Sequence, residues 1–326
     1  MKTVAFFNNK GGVGKTSLVF HLCHMYADLG YRVIGADLDP QSNLTAMCFS
    51  ERKIEEIYEV DRPQTIYTAV EPLRRGVGDV GSLKPMRVTD RFSVLAGDLL
   101  LSDIEDQLSE NWPKCMDGDE RAFRVTTSLA RVIYPAAANF DADLTLIDMG
   151  PNFGALNRSA LICADYVVIP VAPDLFSIRG LQNVGARLRR WREEWQSRLN
   201  RSAKEQFDFL LPSGDMQPIG YVISRYNQFG GGAAKAFDKW IARIPAAYSQ
   251  SVGESAQSNG SVAIASLKDF RSLSAMAQEA RKPMFKLKPA DGAIGGHQSA
   301  VSAAYSDYRE IALKIAERIQ MPARVF

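Results

Sequence analysis

The stretch Asn9-Lys10-Gly11-Gly12-Val13-Gly14-Lys15-Thr16-Ser17 constrains this chain more than anything else in it. It follows the apolar, β-prone run from Val4 to Asn8 and opens a helix that the spacing predicts from Lys15 to Leu29, closed by Gly30. A glycine-rich turn between a strand and a helix lets successive backbone N–H groups point inward around an anion. The helix N-terminus adds its partial positive charge. Each charge-assisted hydrogen bond contributes about 1.5–3 kcal/mol, so several together hold a triphosphate. The pattern assigns Lys15 to the β- and γ-phosphates and Thr16 to Mg²⁺. It also dictates the fold around it, because such a loop works only inside a βαβ unit.

The rest of the chain agrees with that demand. Tyr31 to Asp37 reads as a second strand, and Leu144 to Asp148, Tyr166 to Val171 and Ile219 to Ser224 as further buried ones. Helical patterns fill Asp119 to Ala138, Gly180 to Leu199 and Val301 to Ile319. Alternating buried strands and helices predict an α/β fold: a mostly parallel, twisted sheet with helices on both faces. At 326 residues, 46% hydrophobic and 23% charged, the chain has ample material for such a core. We find no repeat, low-complexity tract or linker and expect a single domain over 1–326. No run of 18 apolar residues occurs, which predicts no membrane span. The four cysteines are scattered and only three histidines occur. That suggests neither a disulfide framework nor a zinc site, and a cytoplasmic location is expected.

Two carboxylate positions complete the candidate site. Asp148 ends an apolar strand, where it would hold Mg²⁺ through water. Asp37-Leu38-Asp39-Pro40 follows the second strand and brings two more carboxylates to the same end of the sheet.

The strict phosphate-loop pattern wants glycine at position 9, and Asn9 stands there. Lys10-Gly11-Gly12-Val13-Gly14-Lys15-Thr16 resembles the deviant Walker A motif of the ParA/MinD family of P-loop ATPases. Asp37-Leu38-Asp39-Pro40-Gln41-Ser42-Asn43-Leu44-Thr45 resembles that family's segment after its second strand. Arg91 to Leu99, Asp165 to Leu181 and Ile219 to Asn227 are similar to further family segments, so the resemblance runs along nearly the whole chain. It implies ATP and Mg²⁺ as cofactors, cradled by Lys10, Gly11, Gly12, Val13, Gly14, Lys15, Thr16 and Ser17. Arg225 and Tyr226 would flank the adenine, and Thr16, Asp39 and Asp148 would surround the metal. Lys10, Lys15 and Asp39 would be catalytic, with Lys10 crossing a dimer interface to the partner's ATP. Family members usually continue Asp-x-Pro-Pro where this chain has Asp148-Met149-Gly150-Pro151.

The resemblance is to ParA (Soj-like) members that lack an N-terminal helix-turn-helix, since the loop begins at residue 9. Extra residues relative to typical members fall near 50–90, 108–124 and 196–217. The implied activity is a homodimerising switch that binds nucleoid DNA non-specifically when ATP-bound. Hydrolysis to ADP would be slow until a ParB-like or cargo-adaptor protein stimulates it, in chromosome or plasmid partition. The alternative is the same switch positioning a protein cargo, such as a chemosensory cluster or microcompartment. A nucleotide-gated electron carrier is disfavoured, because no cysteine lies just after Asp148.

Charge bears on the DNA expectation. With 39 Lys+Arg against 37 Asp+Glu, the net charge of +2 gives no whole-protein attraction to nucleic acid, so any DNA surface must be local. On the helix from Gly180, residues Leu181, Val184, Leu188, Trp191, Trp195 and Leu199 form one apolar stripe. Arg187, Arg189, Arg190 and Arg192 project elsewhere, partly neutralised by Glu193 and Glu194. Arg281 and Lys282 begin a second cluster. Dimerisation would double both without a new residue. The last helix carries an apolar stripe of Val301, Tyr305, Tyr308, Ile311, Ile315 and Ile319 opposite a face of mixed charge. A membrane helix wants a cationic polar face, so this one is expected to dock on the protein.

Overall fold

Short apolar runs form the strands of one sheet in the computed structural model, which describes residues 1–202, 207–226, 238–253, 261–270 and 272–324, without the side chains of Arg225 and Tyr226. The strands are β1 (Lys2–Phe6), β2 (Val33–Asp37), β3 (Met86–Arg87), β4 (Phe92–Leu95), β5 (Leu144–Asp148), β6 (Tyr166–Val171), β7 (Gln217–Tyr226) and β8 (Ala263–Lys268). Their spatial order is β3-β4-β2-β5-β1-β6-β7-β8. Every neighbouring pair is parallel except β3 with β4 at the edge. Parallel strands need covered faces, and accordingly every residue of β2, β4 and β5 is buried.

Two hydrophobic layers cover the faces. One contains side chains of α4 (Ile66–Arg75), α5 (Glu105–Lys114), α6 (Glu120–Thr126), α7 (Ser128–Asn139), α8 (Ala155–Ile162), α9 (Leu175–Ser202) and α10 (Ile244–Ser251). The other is built on α1 (Lys15–Asp28), with α2 (Asn43–Cys48), α3 (Glu51–Tyr58), α11 (Ser272–Ala280) and α12 (Gly296–Arg318) around it. Alternation along β1 sorts Ala5 to the first layer and Val4 and Phe6 to the second.

The structure shifts several element ends relative to the periodicity, the terminal helix starting at Gly296 rather than Val301 and β1 ending at Phe6 rather than Asn8. The single helix expected over Asp119 to Ala138 is two, broken at Thr127, whose hydroxyl donates to the Phe123 carbonyl at 2.7 Å. Such back-bonding competes with the helix ladder. Helix α9 starts at Leu175 rather than Gly180, because Asp174 accepts from the Ser177 N–H at 2.9 Å and caps it. In the terminal helix Tyr308, Ile311, Ile315 and Ile319 are buried as the stripe predicts, but Tyr305 is 42% exposed.

The segments expected to be extra are tied down by tertiary contacts. Within 50–90, the Tyr58 hydroxyl donates to the Gly97 carbonyl at 2.8 Å, and the Thr65 hydroxyl to Asp98 Oδ2 at 2.7 Å. Within 108–124, the Trp112 ring stacks on Trp195 at 5.9 Å and carries the Arg198 guanidinium at 4.0 Å. Within 196–217, the Phe209 ring lies between Arg124 and Arg131, each 4.7 Å from its centroid.

Candidate active site

Strand register assembles the site. β5 lies between β1 and β2, pairing Asp148 with Phe6 on one side and with Asp37 on the other. Asp37 and Asp148 therefore stand side by side at strand ends, next to the loop that leaves β1. This is the carboxyl edge of a parallel sheet, where open α/β folds bind ligands. In the loop, Gly12 and Gly14 take φ of 72° and 79°, the left-handed region that only glycine enters cheaply.

Asn8 fixes the loop from below. Its Nδ2 donates to the Pro170 carbonyl at 2.7 Å, its Oδ1 accepts from the Lys10 N–H at 3.0 Å, and its carbonyl accepts from Lys15 Nζ at 3.2 Å. The Ser224 hydroxyl, near the end of β7, donates to the Val13 carbonyl at 2.6 Å. Strands β6 and β7 thus hold the loop that β1 delivers. Neither Asn8 nor Ser224 stood out in the sequence, because Pro170 and Val13, to which they donate, are 162 and 211 positions away.

The carboxylates are short of positive charge. Asp37 and Asp148 are both fully buried. Asp37 Oδ2 accepts from the Thr45 N–H at 2.8 Å and hydroxyl at 2.7 Å. Its Oδ1 and both oxygens of Asp148 lack any hydrogen-bond partner. Burial pushes both carboxyls well above the usual carboxylate range; the charges of Asp37 and Asp39 push Asp148 further, against a smaller pull from Thr16 and Lys15. Burial likewise lowers the Lys15 ammonium, opposed by Asp148 and Asp39. Orphaned buried carboxylate oxygens beside a threonine hydroxyl fit Mg²⁺, which is typically held by one or two carboxylates, with phosphates and water completing its shell. Asp39 is half-buried and accepts from the Gln41 N–H at 3.0 Å. Gly150 lies over it, a Cβ there falling 3.6 Å from Asp39 Oδ1.

Lys10 is turned to its own chain. Its ammonium pairs with Asp174 and lies 3.5 Å from the Ser177 hydroxyl. Burial pushes the Asp174 carboxyl up, but hydrogen bonds from Lys10 and the Ser177 N–H outweigh it and hold that carboxyl below its ordinary value. Asp174 has a visible signal in hindsight: an aspartate three residues before a serine, opening a helix, is a capping pattern.

A groove of about 820 Å³ leaves the first turn of α1 between α2–α3 and α11, lined by Gly14, Thr16, Ser17, His21, Tyr308 and Arg281 among others. The side chains of Arg225 and Tyr226 lie outside the described residues, so the adenine expectation has no geometry here. The basic residues expected to gather for DNA are divided. Arg187, Arg189, Arg190 and Arg192 sit on α9, in the layer opposite the one that holds α11. Arg192 donates to the Asp215 and Met216 carbonyls, each at 2.6 Å, and Arg187 lies 5.2 Å above the Phe153 ring. Arg189 bonds the Ser251 carbonyl and Arg190 pairs with Glu194 at 2.7 Å, both from exposed positions. Arg281 lines the groove, 3.6 Å from Glu51, and Lys282 pairs with Asp291 at 2.7 Å. The two clusters do not form one surface in a single chain. Among the described residues, no helix is long and apolar enough to cross a membrane.

Comparison with known proteins agrees with this geometry. A family model described as an AAA domain matches residues 1–201. An uncharacterised Mycobacterium tuberculosis protein is 34% identical over 180 residues, 55% of this chain and 49% of that one. The chromosome partitioning protein ParA of Caulobacter vibrioides is 27% identical over 199 residues, 61% of this chain and 66% of that one. A Corynebacterium diphtheriae protein of solved structure superposes with a TM-score of 0.74 at 25% identity, covering 98% of this chain and 99% of that one. The first of these relatives is matched over only about half its own length. A phosphate loop with Lys10 beside its glycines, two buried aspartates in register at the sheet edge, and these likenesses lead to one assignment: the chain belongs to the ParA/MinD-type P-loop ATPases.

Proposed function

We propose that the chain is an ATP-driven dimerising switch of the partitioning type, which binds DNA non-specifically as the ATP-bound dimer and releases it on hydrolysis to ADP. The observation that carries the nucleotide part is the buried Asp148 carboxylate, without a partner, beside Thr16, Lys15 and the left-handed glycines of the loop. When bound, Mg²⁺ would neutralise charge developing on the phosphates; Thr16 and Asp148 would hold it. Backbone N–H groups from Gly11 to Thr16 bind the phosphates, and Lys15 neutralises them from below. Asp39 orients the attacking water as a half-buried acceptor close to the loop after β5. Lys10 is the cation that a second copy would contribute across the dimer once it leaves Asp174. Turnover by the dimer alone is slow, since a cationic finger supplied by a partner protein adds roughly 10³–10⁵-fold in comparable sites.

The test is nucleotide binding and turnover with matched substitutions. Lys15→Ala should abolish binding of ATP. Asp39→Ala should keep binding but accumulate an ATP-bound dimer, seen by light scattering after gel filtration. A monomeric Asp39→Ala protein at saturating ATP and Mg²⁺ would reject the switch. Capturing proteins and DNA on that trapped dimer separates a nucleic-acid cargo from a protein cargo.

A further inference from the structure

Glu105 opens α5 and lies outside the residues so far placed around the nucleotide. Its half-buried carboxylate reaches across to the start of α8, accepting from the Ala155 N–H and, at 2.8 Å, from the Leu156 N–H. Helix α8 has no cap of its own, because its N-cap residue is Gly154. That glycine is also what admits the carboxylate: a Cβ on Gly154 would overlap Glu105. Charged acceptors at a helix start gain from both the unpaired N–H groups and the helix dipole.

What Glu105 holds is the end of the loop that begins at Asp148. Over the intervening residues that loop passes above the phosphate site. Pro151 comes 4.0 Å from where a Cβ on Gly11 would be, and Gly150 faces Asp39. From the first turn of α8, Asn157 Nδ2 donates into the loop at 2.8 Å to the Gly150 carbonyl and at 2.8 Å to the Asn152 carbonyl. One end is therefore fixed by β5 and the other by a carboxylate from a different element. Asn157, itself on α8, transmits that fixation back to Gly150.

We propose that Glu105 is a positioning residue for ATP hydrolysis: by clamping the first turn of α8 it sets where Gly150 and Pro151 lie against Asp39 and the phosphate loop. The inference rests on the nucleotide reading above. The division of labour follows from the geometry. Phosphate affinity resides in the loop after β1, which Glu105 does not touch. The placing of water and γ-phosphate depends on the wall that Glu105 holds, and a displacement of about 1 Å in such a wall can cost roughly 100-fold in rate.

The whole 326-residue chain tests this with Glu105→Ala, which removes both acceptor oxygens, and Glu105→Gln, which keeps one carbonyl oxygen for one N–H. Three quantities are read: single-turnover hydrolysis, dissociation constant for a fluorescent ATP analogue, and amide hydrogen exchange across residues 149–157. For Glu105→Ala the expected result is a roughly 10- to 100-fold slower turnover, affinity unchanged within about twofold, and lost protection confined to 149–157. Glu105→Gln should fall between it and the parent in both rate and protection. Parental turnover in folded Glu105→Ala, or affinity falling in step with rate, overturns the proposal. If the parent chain binds no ATP, the functional reading fails by itself. The clamp is then judged on exchange alone, and unaltered protection at 149–157 in Glu105→Ala refutes it.

Discussion

At the scale of single residues, Lys10 and Asp174 are a pair in which each has two uses. Asp174 caps α9 through the Ser177 N–H and also holds the Lys10 ammonium in its own chain. Any role for Lys10 across an interface requires breaking that ion pair. Both side chains are about a third exposed (30% and 35%), so the pair is a weak restraint, of the order of 0.2–1 kcal/mol. Asp174→Asn keeps an acceptor for the cap while removing the charge. It should leave nucleotide affinity alone and strengthen ATP-dependent dimerisation, by at most roughly thirtyfold because a dimer frees two such pairs, read as a lower midpoint in a dilution series. Weaker dimerisation would mean that Asp174 serves the dimer directly. Lys10, Lys15 and Thr16 were legible in the sequence because a phosphate loop places its chemistry in consecutive positions. Asn8 and Ser224 were not, since Pro170 and Val13, on which they act, are 162 and 211 positions away; Asp174 was open to view as a cap but not as the partner of Lys10.

Among the elements, α1 does two jobs. Its first turn continues directly from the phosphate loop, and its middle packs against α12 and the strands. His21 stacks on Tyr308 with ring centroids 4.6 Å apart, and His24 meets Phe92 edge-on at 5.0 Å. Burial lowers His21 to about 4 and His24 to about 3, with Lys286 and His21 depressing His24 further. Both are therefore neutral in the folded chain, whereas in the unfolded chain they protonate near pH 6.5. A depressed folded value means the stability they permit is complete above about pH 6.5 and is lost as pH falls toward 4 and below. By about pH 5 the loss is on the order of 2 kcal/mol per group. Urea unfolding at pH 7.5 and pH 5 isolates this contribution by difference, because the raised Asp37 and Asp148 carboxyls act in the opposite sense: on acidification the parent should lose about 2 kcal/mol more stability than His24→Leu. An equal drop in His24→Leu would place the acid sensitivity elsewhere. Element types followed closely from periodicity, since buried parallel strands and amphipathic helices write it plainly. Boundaries did not. The cap of α9 and the break at Thr127 depend on side-chain to backbone bonds that no hydrophobic pattern encodes. The segment 50–90 was opaque for a similar reason. Its buried apolar residues, such as Ile57, Ile66, Val70 and Leu83, are spread over short helices and turns, and polar contacts such as Tyr58 to Gly97 and Thr65 to Asp98 complete the anchoring.

For the whole molecule, the proposed function raises the question of how a chain of net charge +2 would hold DNA at all. The divided arginines set a low ceiling. Arg192 is committed to backbone carbonyls, and Arg187 to the Phe153 and Trp191 rings, so neither reaches a phosphate without giving up internal contacts. Arg281 belongs to the groove wall beside the phosphate loop and Lys282 to Asp291. Of the four arginines expected to gather on α9, the exposed Arg189 and Arg190 remain, each held by a single surface contact that a phosphate can replace. On the proposed function, a dimer then offers about four phosphate contacts, which for B-DNA gives a slope near −3 to −4 in log affinity against log salt. Affinity should accordingly fall roughly 100-fold between about 50 and 200 mM salt. Replacing Arg189 and Arg190 together by alanine should flatten that slope toward zero for every DNA sequence, with ATP-dependent dimerisation intact. Arg192→Ala, by contrast, should lower thermal stability because it leaves two carbonyls without their donor. If the double variant keeps the parental slope, the α9 surface is not the DNA contact. Weak, salt-sensitive holding through a few exposed cations is what a carrier needs if it is to let go whenever hydrolysis separates its two copies.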